Sequence, residues 1–293
     1  QMQFTSFYEG NETAHGNSFT CDLMRYLDEW KISNKFSYKF NPIEESEVVF
    51  VTYSSSNHFA EARQGIRSWR AAFNNTIIFY DLGLKKSEVN ELHNVCNLEV
   101  RKLDFNQFPH FVSNLMGYHF KAIIMAEVFS EFEHYWIVDT SVRFFNRTHN
   151  LEEFYNNITS GVIEPLAMRK PTIHSIFAAT HPTMYTYLPI DMQLSKEFVQ
   201  LAAGLIFISS SELAREAVKW NVLCALTADC MAPPGSSSGC NFGDDRYNTY
   251  ANCHRYDQSS LNIITTSLLE RDGWKRRDRL RDNSMLFFTD VKR

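Results

Sequence analysis

Tyr135-Trp136-Ile137-Val138-Asp139-Thr140-Ser141 decides how the rest of the chain is read. Four apolar residues in a row end on an acid and two hydroxyls. A short, unbroken apolar run is what a strand buried on both faces presents. A carboxylate where such a strand stops lies at the end of the sheet where α/β proteins bind ligands.

Working outward, a long helical pattern from about Asn114 to Phe132 leads into this run. Further upstream, Val48–Val51, Thr76–Tyr80 and Leu98–Leu103 are three more short strands. Helical patterns separate them. Phe59, Ala62, Ile66, Trp69 and Phe73 recur at helical steps, and a shorter helix is expected near Ser87–Asn94. The order β-α-β-α-β-α-β predicts an α/β protein with a doubly wound, mostly parallel sheet flanked by helices. Tyr53–Asn57 and Asp139–Ser141, the two polar strand ends, then share one edge. Downstream, Gly204–Ile208 reads as a strand and Glu212–Leu226 as a helix. Residues 232–243 form a Gly/Pro/Ser-rich loop, Asp257–Glu270 a helix and Met285–Thr289 a last strand. Residues 1–46 show only a short helix around Cys21–Leu27 and are read as a stem or packing arm.

The chain has 293 residues, 44% hydrophobic and 22% charged, and a formal net charge of −5. That charge argues against nucleic acid as a partner. The one basic run, Lys275 to Arg281, contains Asp278 and reads as a solvated helix or turn face. No apolar stretch reaches the roughly 20 residues of a membrane span. The sequence begins at Gln1; a signal peptide or N-terminal membrane anchor, if there is one, lies outside it. Of six cysteines, Cys224, Cys230, Cys240 and Cys253 crowd the loop-rich stretch. Two disulfides are expected among them, with Cys21–Cys96 as a looser third. Reduced buried cysteines or a zinc site are the alternatives, though no C-x-x-C pair is present. Sequons at Asn11, Asn74, Asn146 and Asn157 add to the cysteines in pointing to the secretory pathway lumen (endoplasmic reticulum or Golgi) or to secretion.

A strand-end acid such as Asp139 can hold a divalent ion, and the ion a diphosphate. Ser141 adds a hydroxyl or a water contact. The plainer alternative is that Asp139 caps the turn. A second cluster, His254-Arg255-Tyr256-Asp257-Gln258, gathers an imidazole, a guanidinium, a phenol, a carboxylate and an amide just before a helix. Asp257 can serve as a general base toward an acceptor hydroxyl. With retention of configuration, Asp257 and Gln258 would instead orient a sugar. Alternatively, Asp257 N-caps the helix.

Val51–Phe59, Ile78–Leu84, Tyr118–Lys121, Trp136–Phe144 and Cys253–Ser259, taken in order, resemble GT-A-fold glycosyltransferases. The resemblance is to a glycosyltransferase-like group abundant in nematodes and, more distantly, to the glycogenin-like enzymes. It covers roughly residues 47–290. It implies a single GT-A-like (Rossmann-like) catalytic domain over 47–293, with a nucleotide-binding half at 47–145 and an acceptor half at 146–293. Tyr53, Ser54 and Asn57 would line the base and ribose, with Asn57 as a helix N-cap in the plainer reading. Lys121 would reach the diphosphate or ribose, or else be a solvated helix lysine. Ala203-Gly204 would let the sugar approach closely, and Arg255 would supply further charge. His254, Asp257 and Gln258 would be catalytic. The metal motif of these enzymes is Asp-x-Asp, for Mn²⁺ or Mg²⁺. Here Asp139 and Ser141 stand at those positions, and no histidine after His254 replaces the third ligand. The segment His174–Asp191 holds His174, His181, Tyr185, Tyr187 and Asp191, which could contact an acceptor but are more simply a packed loop and short helix.

The expected function is that of a hexosyl- or N-acetylhexosaminyltransferase using a nucleotide sugar, in the first place a UDP-sugar, and a glycan or glycoprotein acceptor. The alternative is a non-catalytic secreted binding protein for carbohydrate or protein, motivated by Ser141.

Overall fold

The computed structural model describes residues 2–8, 12–144 and 151–270. Its centre is a six-stranded sheet with strands in the order β5-β4-β3-β6-β8-β7. These are β3 (Val49–Ser54), β4 (Ile77–Asp81), β5 (Leu98–Lys102), β6 (His134–Val138), β7 (Leu166–Ser175) and β8 (Val199–Ser209). β5, β4, β3 and β6 are mutually parallel. β8 runs antiparallel to β6, and β7 antiparallel to β8. The sheet is therefore mixed and mostly parallel, with helices on both faces.

Every residue of β3 and β6 is buried, because both faces of these strands are covered. Val49, Val51 and Tyr53 point into one core, which contains α4 (His119–Phe129), α8 (Glu212–Ala225) and α10 (Tyr256–Glu270). Phe50 points into the other, with α2 (Phe59–Ala72) and α5 (Leu151–Thr159). α3 (Lys86–His93) adds Leu92 to that second core. α2 has the expected apolar stripe: Phe59, Ala62, Ile66 and Trp69 are buried. α4 is buried all round, as a helix between a sheet and another helix must be.

The N-terminal segment carries a two-stranded antiparallel hairpin, β1 (Thr5–Phe7) and β2 (Thr13–His15), and then α1 (Met24–Glu29). Phe4, Phe19, Leu23, Leu27, Trp30 and Ile32 pack into the first core. Gly16 meets the backbone so closely that a Cβ there would lie 2.0 Å from the Tyr187 carbonyl oxygen. That carbonyl ends α6 (Met184–Tyr187), which precedes α7 (Met192–Glu197).

Three expectations are corrected. The helix expected over 114–132 begins only at His119. Before it, the Asn114 side chain accepts the Met116 N–H, tightening the chain into a 3₁₀ turn. Tyr118 then adopts φ 56°, which no helix interior tolerates. Strand β7 was not expected. Its sequence includes Pro171 and lacks clean alternation, and its pairing with β8 shifts register twice. Both features are tolerated because it is an edge strand. The third disulfide is absent: Cys21 and Cys96 are free and exposed, one before α1 and the other before edge strand β5. The other four cysteines form Cys224–Cys230 and Cys240–Cys253. The first bridge ties the end of α8 to α9 (Ala228–Met231). The second closes the loop leading into α10. The expected strand at Met285–Thr289, the run Lys275–Arg281 and the sequons at Asn11 and Asn146 lie outside the described residues. No described helix is long and apolar enough to cross a membrane.

Candidate functional site

The carboxyl ends of β3 and β6 meet the middle of β8, and two helices start above them. β6 ends where the Asp139 N–H donates to the Gly204 carbonyl at 2.8 Å. The turn that follows is clamped from the α2 side. The Thr140 hydroxyl donates to Glu61 at 2.8 Å, and the Trp69 indole N–H donates to the Val142 carbonyl at 3.0 Å. A Cβ on Gly65 would lie 3.0 Å from the Thr140 carbonyl oxygen, so that glycine in mid-helix admits the turn. Asp139 is thus aimed by its backbone and remains partly exposed.

Lys121, in the first turn of α4, reaches across the top of the sheet. Its ammonium lies 3.0 Å from Asp139 Oδ1 and 3.0 Å from Asp257 Oδ2. The Tyr53 hydroxyl donates to the same Asp139 oxygen. The rings of Tyr118 and Tyr53 stand 5.3 and 5.5 Å from the ammonium, within reach of a cation–π attraction. Gly204 faces the other carboxylate oxygen: a Cβ there would lie 3.2 Å from Asp139 Oδ2. Tyr53, Lys121, Asp139, Gly204 and Asp257, drawn from five separate segments, therefore form one cluster.

The electrostatics follow from burial. Lys121 and Asp257 are 6% and 5% exposed. Burial pulls the Lys121 ammonium down, but Asp139 and Asp257 together hold it well above its ordinary range. The lysine stays charged. Burial pushes the Asp257 carboxyl above the usual carboxylate range, with Lys121 pulling the other way. Asp257 Oδ2 faces the Lys121 ammonium at 3.0 Å. Burial, and then Asp139, raises the Tyr53 phenol well above its usual range, so it stays a donor.

Both helices over the cluster start at a left-handed tyrosine, Tyr118 with φ 56° and Tyr256 with φ 43°. Such conformations are uncommon for bulky residues and gather at functional sites. The two rings pack 5.5 Å apart. The sequence marks Tyr256 as part of the 254–258 cluster and Tyr118 as the start of a matched stretch, but not their backbone geometry, because αL leaves no signature outside glycine and asparagine. Gln200, fully buried on β8, was also missed. Its Oε1 accepts from Gln258 Nε2 at 2.7 Å and its Nε2 donates to Ser259 at 3.1 Å.

Other expected residues take different places. Ser54 is buried, and its hydroxyl donates to the Ser55 carbonyl. Asn57 is exposed and does not cap α2: its Oδ1 accepts from the Ser55 hydroxyl, and the N-cap position belongs to His58. Neither joins the cluster, although both lie at the same strand end. Arg255 is half-buried at the entry to α10 and, with Arg246, acts electrostatically on His174. His254 departs from its catalytic expectation. It is fully buried; Nδ1 accepts the His181 N–H at 3.0 Å, and Nε2 faces the Met231 carbonyl at 3.1 Å. Burial holds it neutral, with its pKa lowered to about 4. With both ring nitrogens engaged, it fixes the loop and has no nitrogen left for a substrate. Asp257 is in the first turn of α10, not at its N-cap. Asp191 caps α7, accepting from the N–H groups of Gln193 and Leu194. His174 is buried and stacks on Phe242.

The residues present do not fit a divalent ion. One oxygen of Asp139 is taken by Lys121 and Tyr53, and Ser141 offers only a neutral hydroxyl in place of an acid. Among the described residues no group of three or more His, Cys, Asp or Glu is placed to hold a metal. A hard cation takes about six or more oxygen ligands, and even Mg²⁺, which keeps several waters, is held through one or two carboxylates; the turn after β6 offers one free carboxylate oxygen.

A family model described as a protein of unknown function, DUF1647, matches residues 3–126. No curated protein matches the chain. Among solved structures, similarity is found to the galactosyltransferase LgtC in complex with donor and acceptor sugar analogs. It has a TM-score of 0.43 and 12% identity, covering 83% of this chain and 84% of that one. An active-site mutant of LgtC gives a TM-score of 0.39 at 12% identity, covering 75% of this chain and 95% of that one.

Proposed function

We propose that this chain is a GT-A-like glycosyltransferase of the secretory pathway that moves a sugar from a nucleotide-sugar donor, a UDP-sugar, to a hydroxyl of a glycan or glycoprotein acceptor. The observation that carries this reading is the convergence of Tyr53, Lys121, Asp139, Gly204 and Asp257 at the carboxyl ends of the parallel strands. Ligands of open α/β sheets bind at that end. A buried array of alternating charges beside a residue without a side chain suits a polyhydroxylated ring, since each hydroxyl both donates and accepts.

The nucleotide would lie across the ends of β3 and β4, with Tyr53, Ser54 and Asn57 along its base and ribose. The sugar would sit between Gly204 and the Lys121 cluster, and Arg255 would face the outer part of the donor or the acceptor. In an inverting reaction Asp257 takes the proton of the attacking acceptor hydroxyl. Its raised pKa makes it the better base. In a retaining reaction Asp257 and Gln258 hold the sugar while positive charge develops at its anomeric carbon. The configuration of the product decides between these roles.

The test is turnover of a panel of nucleotide sugars by the purified chain and by Asp257→Asn. Loss of a general base lowers kcat by about 10²–10⁴-fold. The wild-type acid limb should lie above the ordinary carboxyl value of 3.8. A second reading, a non-catalytic carbohydrate-binding protein, is favoured by one observation: both acids of the cluster are already held by Lys121. It predicts sugar binding with no turnover of any donor, and an Asp257→Asn variant that binds as the wild type does.

A further inference from the structure

We infer that the resident cation of this site is the Lys121 ammonium, and that the nucleotide donor binds there without a divalent ion. This rests on the nucleotide-sugar reading above and departs from the metal dependence that the GT-A resemblance implies.

Three features carry it. The first is position. A divalent ion shared by Asp139 and Asp257 would sit between their carboxylates, and the ammonium already sits there, 3.0 Å from each. An ion placed beside it would meet the ammonium as a like charge at close range and would have to compete with it for the same two carboxylates. The second is the remaining donor set. With Asp139 Oδ1 engaged by Lys121 and Tyr53, the turn after β6 offers only Asp139 Oδ2 and the hydroxyl of Ser141. A nucleotide-borne ion that takes one or two carboxylates besides phosphates and waters would find a single free carboxylate oxygen here and no second acid beside it. The third is that part of the positive potential comes from the backbone: the ammonium offsets the charge of one of its two acids, and the helix starts add to it. The ammonium is locked by two ion pairs and walled by two tyrosine rings. α4 and α10 also both begin at this cluster, and each brings the positive end of its dipole. The two helix starts can therefore face a diphosphate that gains charge as the sugar leaves, while Lys121 offsets the acids beside them.

The experiment is a calorimetric titration of the full chain with UDP, once in EDTA and once in MnCl₂. The expected result is binding in EDTA with an affinity within about twofold of that in Mn²⁺. Lys121→Met should weaken it by about tenfold or more, the loss of a charge-assisted contact. Lys121→Arg, which keeps the charge, should bind in EDTA and shows that the position tolerates replacement. Circular dichroism and the unfolding midpoint of each variant separate a lost contact from a lost fold. Mn²⁺ alone should leave the wild-type unfolding midpoint unchanged. UDP binding that appears only with Mn²⁺ overturns this inference and leaves the nucleotide reading standing. So does a folded Lys121→Met that binds UDP as tightly as wild type. Absence of binding by UDP, GDP and CMP in both buffers overturns the nucleotide reading, and this inference with it.

Discussion

A neutral imidazole held by two backbone groups makes folding depend on pH, and His254 is such a group. Its folded pKa is lowered from 6.5 to about 4 by burial. Between those values the unfolded chain binds a proton that the folded chain refuses. The contribution is therefore fully present above the unfolded value and is lost as pH falls toward the folded one. From about pH 8 to about pH 5 the loss from this residue is about 2 kcal/mol. Urea unfolding at both pH values should show it. His254→Asn keeps a donor and an acceptor without a titrating proton, and should flatten the dependence by that amount. His119, His134, His174 and His181 are shifted in the same direction, so the comparison between wild type and variant is what counts. Equal slopes for the two proteins would remove His254 from the account. The sequence shows why His254 was read as catalytic: it stands beside Asp257 in a dense polar run. It cannot show that both ring nitrogens are spent on Met231 and His181. Asp139, Asp257 and Tyr53 were legible for the opposite reason. Each sits where an expected strand ends or helix begins, and in a parallel sheet those points converge. Lys121 came from the resemblance alone, since a helix expected from Asn114 put it in the interior of that helix.

At the scale of elements, the disulfide loops control where α10 starts. Cys240–Cys253 closes a loop of sequence separation 13, four residues before Asp257. The loop is sewn to the end of β7 and the segment after it: Ala251 N–H donates to the Ala178 carbonyl, Arg255 N–H to the Ala179 carbonyl and Ser175 N–H to the Arg246 carbonyl. For a loop of this length, closing the bridge stabilises the fold by about 3 kcal/mol. Paired Cys240→Ser and Cys253→Ser changes should lower the unfolding free energy by about that amount, read by denaturant titration against wild type. Hydrogen exchange should speed up first in residues 232–257; uniform exchange across α10 and the sheet would contradict the local role. The composition made this cluster legible as a pair of bridges. It left the partners open, because four cysteines in one stretch of chain have several pairings that only the folded backbone distinguishes. The strands of the first half were legible from apolar runs such as Ile77–Tyr80, since parallel strands covered on both faces need no polar positions. β7 was not, because an edge strand with a proline and two register shifts keeps no period. Nor was the break at Tyr118, where an Asx turn at Asn114 overrides an apolar pattern that continues unbroken into α4.

For the molecule as a whole, polarity of the sheet separates two ends with different duties. The candidate site lies at the carboxyl ends of β3 and β6. Asn74, exposed in the turn that leads into β4, lies at the amino ends. A glycan on Asn74 would project from the pole opposite the site and leave it open. The side chain is suited to carry one: its Oδ1 and backbone carbonyl accept only long contacts from Asn97, at 3.4 and 3.3 Å. Asn157 is placed differently, half-buried in the last turn of α5, with the next sequon residue, Ile158, in the core. If the chain passes through the secretory pathway, as its two disulfides and the sequons suggest, Asn74 should be the sequon of this pair that is occupied. Expression in a secreting eukaryotic cell, followed by peptide N-glycosidase digestion and gel mobility, tests this. Asn74→Gln should lose one step of the mobility ladder, Asn157→Gln none, and both should keep the unfolding midpoint of the deglycosylated wild type. A secreted Asn74→Gln protein that migrates with wild type before digestion would show that this pole carries no sugar, and the exposed turn would then be free for another contact.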